Sequence, residues 1–238
     1  GRGFQGTVLK ALRVPEHRLT VTGVRDLPPY TELTVQSPSL LGAGGPNLPP
    51  TAWVRMWIPE GMREHQRAYT LTGVNRKRAS AHILVFHHEP NGPASRWALT
   101  TVPGDEVSAQ IMGGTRYRTP EPGQRMLLVG DPASAPAMVE AVEAADASCR
   151  IIVVLQSGDD SPPLPDREYR LIRVPSEDPA ALADAVQEAL GRARPDWAWV
   201  ALESAATKSI RRLVGSAGVP RRAIQAQAYW IRGRAMGT

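Results

Sequence analysis

The chain holds a single cysteine, Cys149, among 238 residues. One thiol closes no internal disulfide and builds no multi-cysteine metal site, and it is compatible with a reducing compartment. Long apolar runs are missing too, since no window approaches the roughly eighteen residues of a membrane span. The N-terminal segment is basic but lacks the apolar stretch and cleavage site of a secretory signal. A soluble, intracellular chain is therefore expected. Aromatic residues make up only 5% of the sequence. They are too few to interleave with the basic residues as a base-stacking platform, so nucleic acid is not expected as a partner. There is no H-E-x-x-H motif. His87, His88 and Glu89 have no second ligand cluster to join, and adjacent strand residues point to opposite faces, so no resident metal is expected. Gly42 to Pro50 (G-A-G-G-P-N-L-P-P) is not a dinucleotide fingerprint: its glycine spacing is wrong and its prolines forbid the helix that must follow.

What is present is a positive balance and a change of pattern along the chain. A formal charge of +5 and a pI near 9.8 favour anionic partners such as a phosphorylated cofactor or an acidic membrane face. Phe4, Val8, Leu9 and Leu12 recur at helical spacing among Arg2, Lys10 and Arg13. That suits either a basic amphipathic segment resting on a membrane or a short arm packed on its own domain. Arg18–Val24, Tyr30–Gln36, Ala52–Ile58 and Glu106–Met112 read as short strands separated by Gly/Pro turns, the grammar of a small antiparallel barrel. From Arg125 onward buried-type strands (Met126–Val129, Ile151–Leu155, Tyr169–Val174, Trp197–Leu202, Ala223–Trp230) alternate with helical patterns. Those are Ala133–Ala145, a helix opening at Ser176 and Asp178 and running to Leu190, and Ala205–Val214. Such alternation implies a mostly parallel sheet covered on both faces. The expected fold is thus β + α/β, an N-terminal antiparallel β-barrel followed by a mostly parallel three-layer α/β nucleotide-binding domain. Residues 1–13 are expected as an arm, 14–122 as the barrel and 123–238 as the α/β domain.

The stretch from Gln66 to Ala98 organises the functional reading. Arg67 and Tyr69 are two apart on a strand and share a face, offering a guanidinium beside a ring. Asn91-Gly92-Pro93 opens a helix whose free N–H groups suit a phosphate. A pyrophosphate joined to a flat ring system, as in a flavin dinucleotide, fits that pair. Each piece alone also fits an ordinary packed strand or helix start.

Together, Arg67-Ala68-Tyr69-Thr70, Phe86-His87-His88 and Gly92-Pro93-Ala94-Ser95-Arg96-Trp97-Ala98 resemble the motifs of the siderophore-interacting protein family. This is a branch of the ferredoxin-reductase-like FAD flavoproteins. The two ends, Arg2-Gly3-Phe4-Gln5-Gly6 and Gln225 to Trp230 with Gly233 to Gly237, are similar to the transporter-linked branch. There the flavin domain precedes the membrane-spanning and ATP-hydrolysing parts of an ABC transporter. The resemblance implies an FAD-dependent reductase passing electrons from NAD(P)H to a mycobactin- or carboxymycobactin-like ferric siderophore, at the cytoplasmic face of the inner membrane. It also leaves open a flavin-binding, siderophore-docking module with little turnover.

By the same resemblance Arg67 binds the FAD pyrophosphate, Tyr69 the flavin–ribityl part and Thr70 the flavin's polar edge, with Ala68 between them. Val85 and His88 line a wall, and Pro93, Ala94 and Ser95 offer helix amides. Trp230, Ile231, Arg232 and Gly233 form a tail returning over the flavin. No catalytic acid or base is assigned, because the cofactors carry hydride chemistry. Asp131 and Ser134, in the strand-to-helix turn Gly130–Ser134, are candidates for NAD(P)H. So are Lys208 and Arg212, four apart on one helix face, although a solvated basic face explains those two equally well. Two departures stand out. Leu84 replaces an acidic residue expected four before the histidine, and the basic Asn75-Arg76-Lys77-Arg78 replaces the family's turn.

Overall fold

The computed structural model describes Arg2 and residues 14–111, 117–158, 164–175 and 177–233. Most of the predicted N-terminal arm, Met112 at a strand end, Ser176 before a helix and the tail beyond Gly233 lie outside these residues. The chain forms two compact units, Gly1–Thr115 with Gly237–Thr238, and Arg116–Met236.

The first unit is an antiparallel seven-stranded sheet. Its strands are β1 (His17–Leu27), β2 (Tyr30–Gln36), β3 (Trp53–Glu60), β4 (Arg63–Thr70), β5 (Thr72–Asn75), β6 (Ser80–Phe86) and β7 (Glu106–Gln110), in the order β4-β3-β7-β1-β2-β6-β5. Alternate residues turn inward: Leu19 and Val21, Leu33 and Val35, Val54, Met56 and Ile58, Ile83 and Val85 are all fully buried in one core. A period of two with one apolar face curls such a sheet around its own interior. The curl brings β4 close to β6, although the two are not paired. Two short helices plug the interior. Helix α1 (Pro38–Leu41) inserts Leu40 and Leu41, and α2 (Pro93–Ala98) inserts Ala94, Trp97 and Ala98.

The basic turn hid one strand from the sequence reading, because β5 is short and irregularly paired with β6. Arg76 in that turn faces the Gly/Pro loop. It donates to the carbonyls of Leu40 and Gly42, each at 3.1 Å, and to that of Pro46 at 2.5 Å. The cation therefore gives a proline-rich loop the donors its own backbone lacks.

The second unit is a parallel five-stranded sheet of β8 (Arg125–Gly130), β9 (Arg150–Gln156), β10 (Arg170–Val174), β11 (Trp197–Ala201) and β12 (Ile224–Ala226). Its order is β10-β9-β8-β11-β12, so the winding reverses between β8 and β11. Met126, Leu128, Val153, Trp197 and Trp199 face helix α3 (Ala135–Ala144). Leu127, Val129, Val154, Ala198 and Val200 face helices α4 (Pro179–Arg192) and α5 (Ser204–Ser216). Strands buried on both faces explain the near-continuous apolar runs. The last predicted strand is regular only over Ile224–Ala226. Beyond it the chain still follows β11, with Gln227 and Tyr229 donating to the carbonyls of Val200 and Leu202.

Between β9 and β10 the described residues form no helix, and Arg167 serves the open end of α3 instead. Its guanidinium donates to the carbonyls of Val142 and Ala145, both at 2.7 Å, and to that of Asp146 at 3.0 Å. The first two are carbonyls that a helix end leaves unpaired, the third also accepts the amide of Cys149, and the cation meets the negative end of the dipole. Arg167→Ala is expected to cost about 1–3 kcal/mol in denaturant unfolding. Arg167→Lys should recover only part of this, since an ammonium cannot fork across three carbonyls.

Candidate functional site

In the first unit the predicted residues gather where the sheet curls. Arg67 and Tyr69 pair across β4 and β3 with Met56 and Val54, whose side chains are in the core, so both face inward. Both are half-buried. Arg67 donates to the carbonyl of Gln66 at 2.8 Å and has no ion pair among the described residues. Burial pushes the Tyr69 phenol well above its ordinary pKa, and the charge of Arg67 opposes that shift. Ala68 is exposed, and Thr70 is buried on the face opposite Tyr69.

Helix α2 packs on β3, β4 and β6. It opens at Gly92, which has no side chain to cap it, and Pro93 has no N–H. The next two amides, of Ala94 and Ser95, find no acceptor among the described residues. Ser95 Oγ bonds the carbonyl of Phe86 at 3.4 Å, which ties the helix start to the end of β6. Arg96 and His65 both meet Glu60, clasping α2 to the β3–β4 turn. Beyond His82, β6 has no strand on its β5 side among the described residues. Val85 lies on this open stretch, but its side chain is fully buried in the core, so only its backbone faces the edge. His88 is exposed. Its neighbour His87, which the sequence reading weighed only as a metal ligand and dismissed, bonds Thr31 Oγ1 through Nε2 at 2.7 Å, and burial holds its pKa below the ordinary value. Leu84 is half-buried and stands opposite Glu32 on β2.

In the second unit Asp131 leaves the C-terminal end of β8, at the point where the winding reverses. This is the general ligand position of such sheets. The turn after it packs tightly: a Cβ on Gly130 would lie 2.4 Å from Ser134 Oγ. Asp131 is buried, and its Oδ1 accepts the amides of Ala133 at 3.0 Å and Ser134 at 3.2 Å. Its Oδ2 accepts the indole N–H of Trp230 at 2.7 Å. The amides that a phosphate would need are thus occupied by the chain's own carboxylate. Burial pushes the Asp131 carboxyl up to about 6 against the pull of these three donors.

Glu203, which the sequence reading missed, does the same for α5, accepting the amides of Ala205 at 2.6 Å and Ala206 at 3.2 Å. Burial would raise its pKa, but these amides and that of Arg232 outweigh burial and lower it. Trp230 bridges to Glu203, and its carbonyl accepts the amide of Ser204 at 2.9 Å. Arg232 pairs with Glu177 at 2.8 Å and stacks over the Trp230 ring. Ile231 is half-buried, while Gly233 is exposed with a φ of +68° that suits glycine.

Lys208 and Arg212, on α5, line a groove of about 500 Å³ together with Arg221 and Ile224. Ile224 is level with Ala198 and Leu127, four residues before Asp131, or roughly 13 Å back along the strands. Lys208 is only one turn into α5, whose first amide, of Ser204, bonds the carbonyl of Trp230.

A curled antiparallel sheet followed by a doubly wound parallel one defines a ferredoxin-reductase-like flavin and nucleotide fold. The siderophore-interacting FAD-binding domain matches residues 36–115, and the siderophore-interacting protein model matches residues 123–233. The chain belongs to the siderophore-interacting protein family. It is 35% identical, over all of its length, to the mycobactin import ATP-binding/permease protein IrtA of Mycolicibacterium thermoresistibile. It spans 27% of that protein. The siderophore-interacting protein of Acinetobacter baumannii superposes with a TM-score of 0.75 at 17% identity, with 93% of each chain covered. The ferredoxin reductase of carbazole 1,9a-dioxygenase gives 0.74 at 16% identity, over 91% of this chain and 68% of the other.

Because the folded Asp131 sits above its ordinary value of 3.8, the unfolded chain gives up this proton first as pH rises. Asp131 should therefore lower stability progressively from about pH 4 to about pH 6, by on the order of 2 kcal/mol. Urea midpoints across that window should show this slope in the wild type and lose it in Asp131→Asn.

Proposed function

We propose that the chain is an NAD(P)H-dependent flavin oxidoreductase that reduces a ferric siderophore, of the mycobactin or carboxymycobactin kind, during iron uptake. The observation that carries this reading is the pair of unclaimed amides, Ala94 and Ser95, on a helix packed against the strand of Arg67 and Tyr69. An ion-pair-free guanidinium and an uncapped helix start suit a diphosphate, and an inward phenol suits the ring system beside it. All of them lie within the segment matched by the siderophore-interacting FAD-binding domain.

In this reading Arg67, Ala94 and Ser95 hold the FAD phosphates, Tyr69 and the backbone of Thr70 position the ring, and the open edge of β6 near Val85 and His88 forms a wall. When bound, the flavin accepts hydride from a nicotinamide and passes on single electrons, so one NAD(P)H serves two ferric centres. The reduced iron is held more weakly by its chelator and is released. Iron here is substrate. The parallel sheet takes the nicotinamide dinucleotide at its C-terminal edge. Since the Asp131 turn has no free amides, Asp131 and Ser134 shape that crevice and do not cradle a phosphate.

The relative's name, with ATP-binding and permease parts beyond the region matched, supports a place beside an ABC transporter at the cytoplasmic face of the inner membrane. A siderophore-docking module with little turnover is the second reading. It is favoured by Leu84, which puts an alkyl group where the resemblance expects an acid.

Anaerobic titration tests the proposal. The FAD-loaded chain should bleach with NAD(P)H and recover its absorbance when ferric siderophore is added, with ferrous iron appearing. Bleaching without recovery favours the docking module, and a chain that takes up no FAD overturns both. Arg67→Ala should weaken FAD binding about 10- to 100-fold, the value of a charge-assisted hydrogen bond.

A further inference from the structure

The second unit carries a cationic groove along α5. Lys208, Arg211, Arg212 and Gly215 recur at i, i+3, i+4 and i+7 along α5 and form one wall, and Arg221 and Ile224 form the other. All four cations are exposed, and none has an acidic partner among the described residues. Other exposed cations, Arg63, Lys77 and Arg78 among them, have no ion pair either, so what sets these four apart is that they share one groove. No Asp or Glu occurs after Glu203 in the sequence.

The geometry points to an anionic lipid surface as the partner of this groove. The groove is wide and open, and it does not enclose a small ligand. It runs back to Ile224 at the start of β12, level with Leu127 and four residues before Asp131. Its cations lie on a helix face where several headgroups can be met at once. Among the described residues the large apolar side chains that are exposed, Val24, Met62, Leu99 and Val102, all belong to the first unit. Contact through the groove is therefore electrostatic, without insertion, and so reversible and salt-sensitive. The inference rests on the membrane-side placement proposed above and is independent of the redox reading.

Vesicle co-sedimentation with the FAD-loaded full chain tests it. Binding is expected to phosphatidylcholine vesicles containing phosphatidylglycerol, to be lost at high salt, and to be absent with phosphatidylcholine alone. Lys208→Glu/Arg212→Glu/Arg221→Glu should weaken partitioning on the order of a hundredfold. The comparison variant Arg63→Glu/Lys77→Glu/Arg78→Glu changes the formal charge equally, from +5 to −1, and should retain most of the binding. The neutral set Lys208→Gln/Arg212→Gln/Arg221→Gln should fall between and guards against misfolding of the reversed one. Equal loss in both reversed variants, or no binding by the wild type, overturns the inference. So does binding of a polyglutamate peptide in preference to the vesicles, which would make the groove a protein-docking surface. Flavin reduction by NAD(P)H, measured on the wild type, tests the reductase reading separately, so its failure is distinguishable from failure of the membrane inference.

Discussion

A helix must hand its first amides to some acceptor, and this constraint divides the molecule's helix starts into two kinds. In the second unit the chain's own carboxylates cap α4 (Asp178) and α5 (Glu203), and Asp131 takes the amides of the turn that leads into α3. In the first unit α2 begins at a glycine and a proline, and its next two amides remain available. A self-capped start gains stability and repels an incoming anion, whereas an open start gives up that stability in exchange for affinity. The first amides of α2 thus stay open, while the β8 turn is taken up in fastening the chain's own tail.

The same economy governs the cations. Arg167 ties down the C-terminal end of α3, Arg76 staples a proline-rich loop, and Arg96 clasps α2 to Glu60. Each satisfies carbonyls or a carboxylate that the local sequence cannot satisfy. Among the described residues Arg67 has neither an acid nor a distant carbonyl to serve, and bends back to its neighbour's own backbone. A guanidinium in that condition on an inward face is a different object from one on a solvated surface, because less water reaches it.

The fold was largely legible in the sequence, because both sheets obey strict periodicities. Tyr30–Gln36 shows one apolar face and Ile151–Leu155 shows two, and each behaves as its pattern says. What escaped was set by contacts distant in sequence or by local exchange of donors. β5 was masked by the Asn75–Arg78 turn, whose arginine answers to a loop thirty residues earlier. The bond between Asp131 and Trp230 spans 99 residues and has no local signature. Glu203 could have been found, since an acidic side chain directly before a Ser-Ala-Ala helix start is a capping signal. That Arg67 and Tyr69 share a face followed from their spacing, but that the face is the inward one did not. The groove that Lys208 and Arg212 share with Arg221 and Ile224 was likewise out of view, because helix periodicity says which residues share a face and not what that face lies beside.

The bond from Trp230 to Asp131 also governs where a domain of this kind can be cut from a longer polypeptide. Regular strand structure ends at Ala226, an inviting place to stop an expression clone. Trimming there would remove the indole donor from a buried carboxylate and strip Glu203 and Ser204 of their backbone partners, although every regular element would survive on paper. A sound excision site lies beyond Gly233, and a shorter product should be recovered mostly as aggregate.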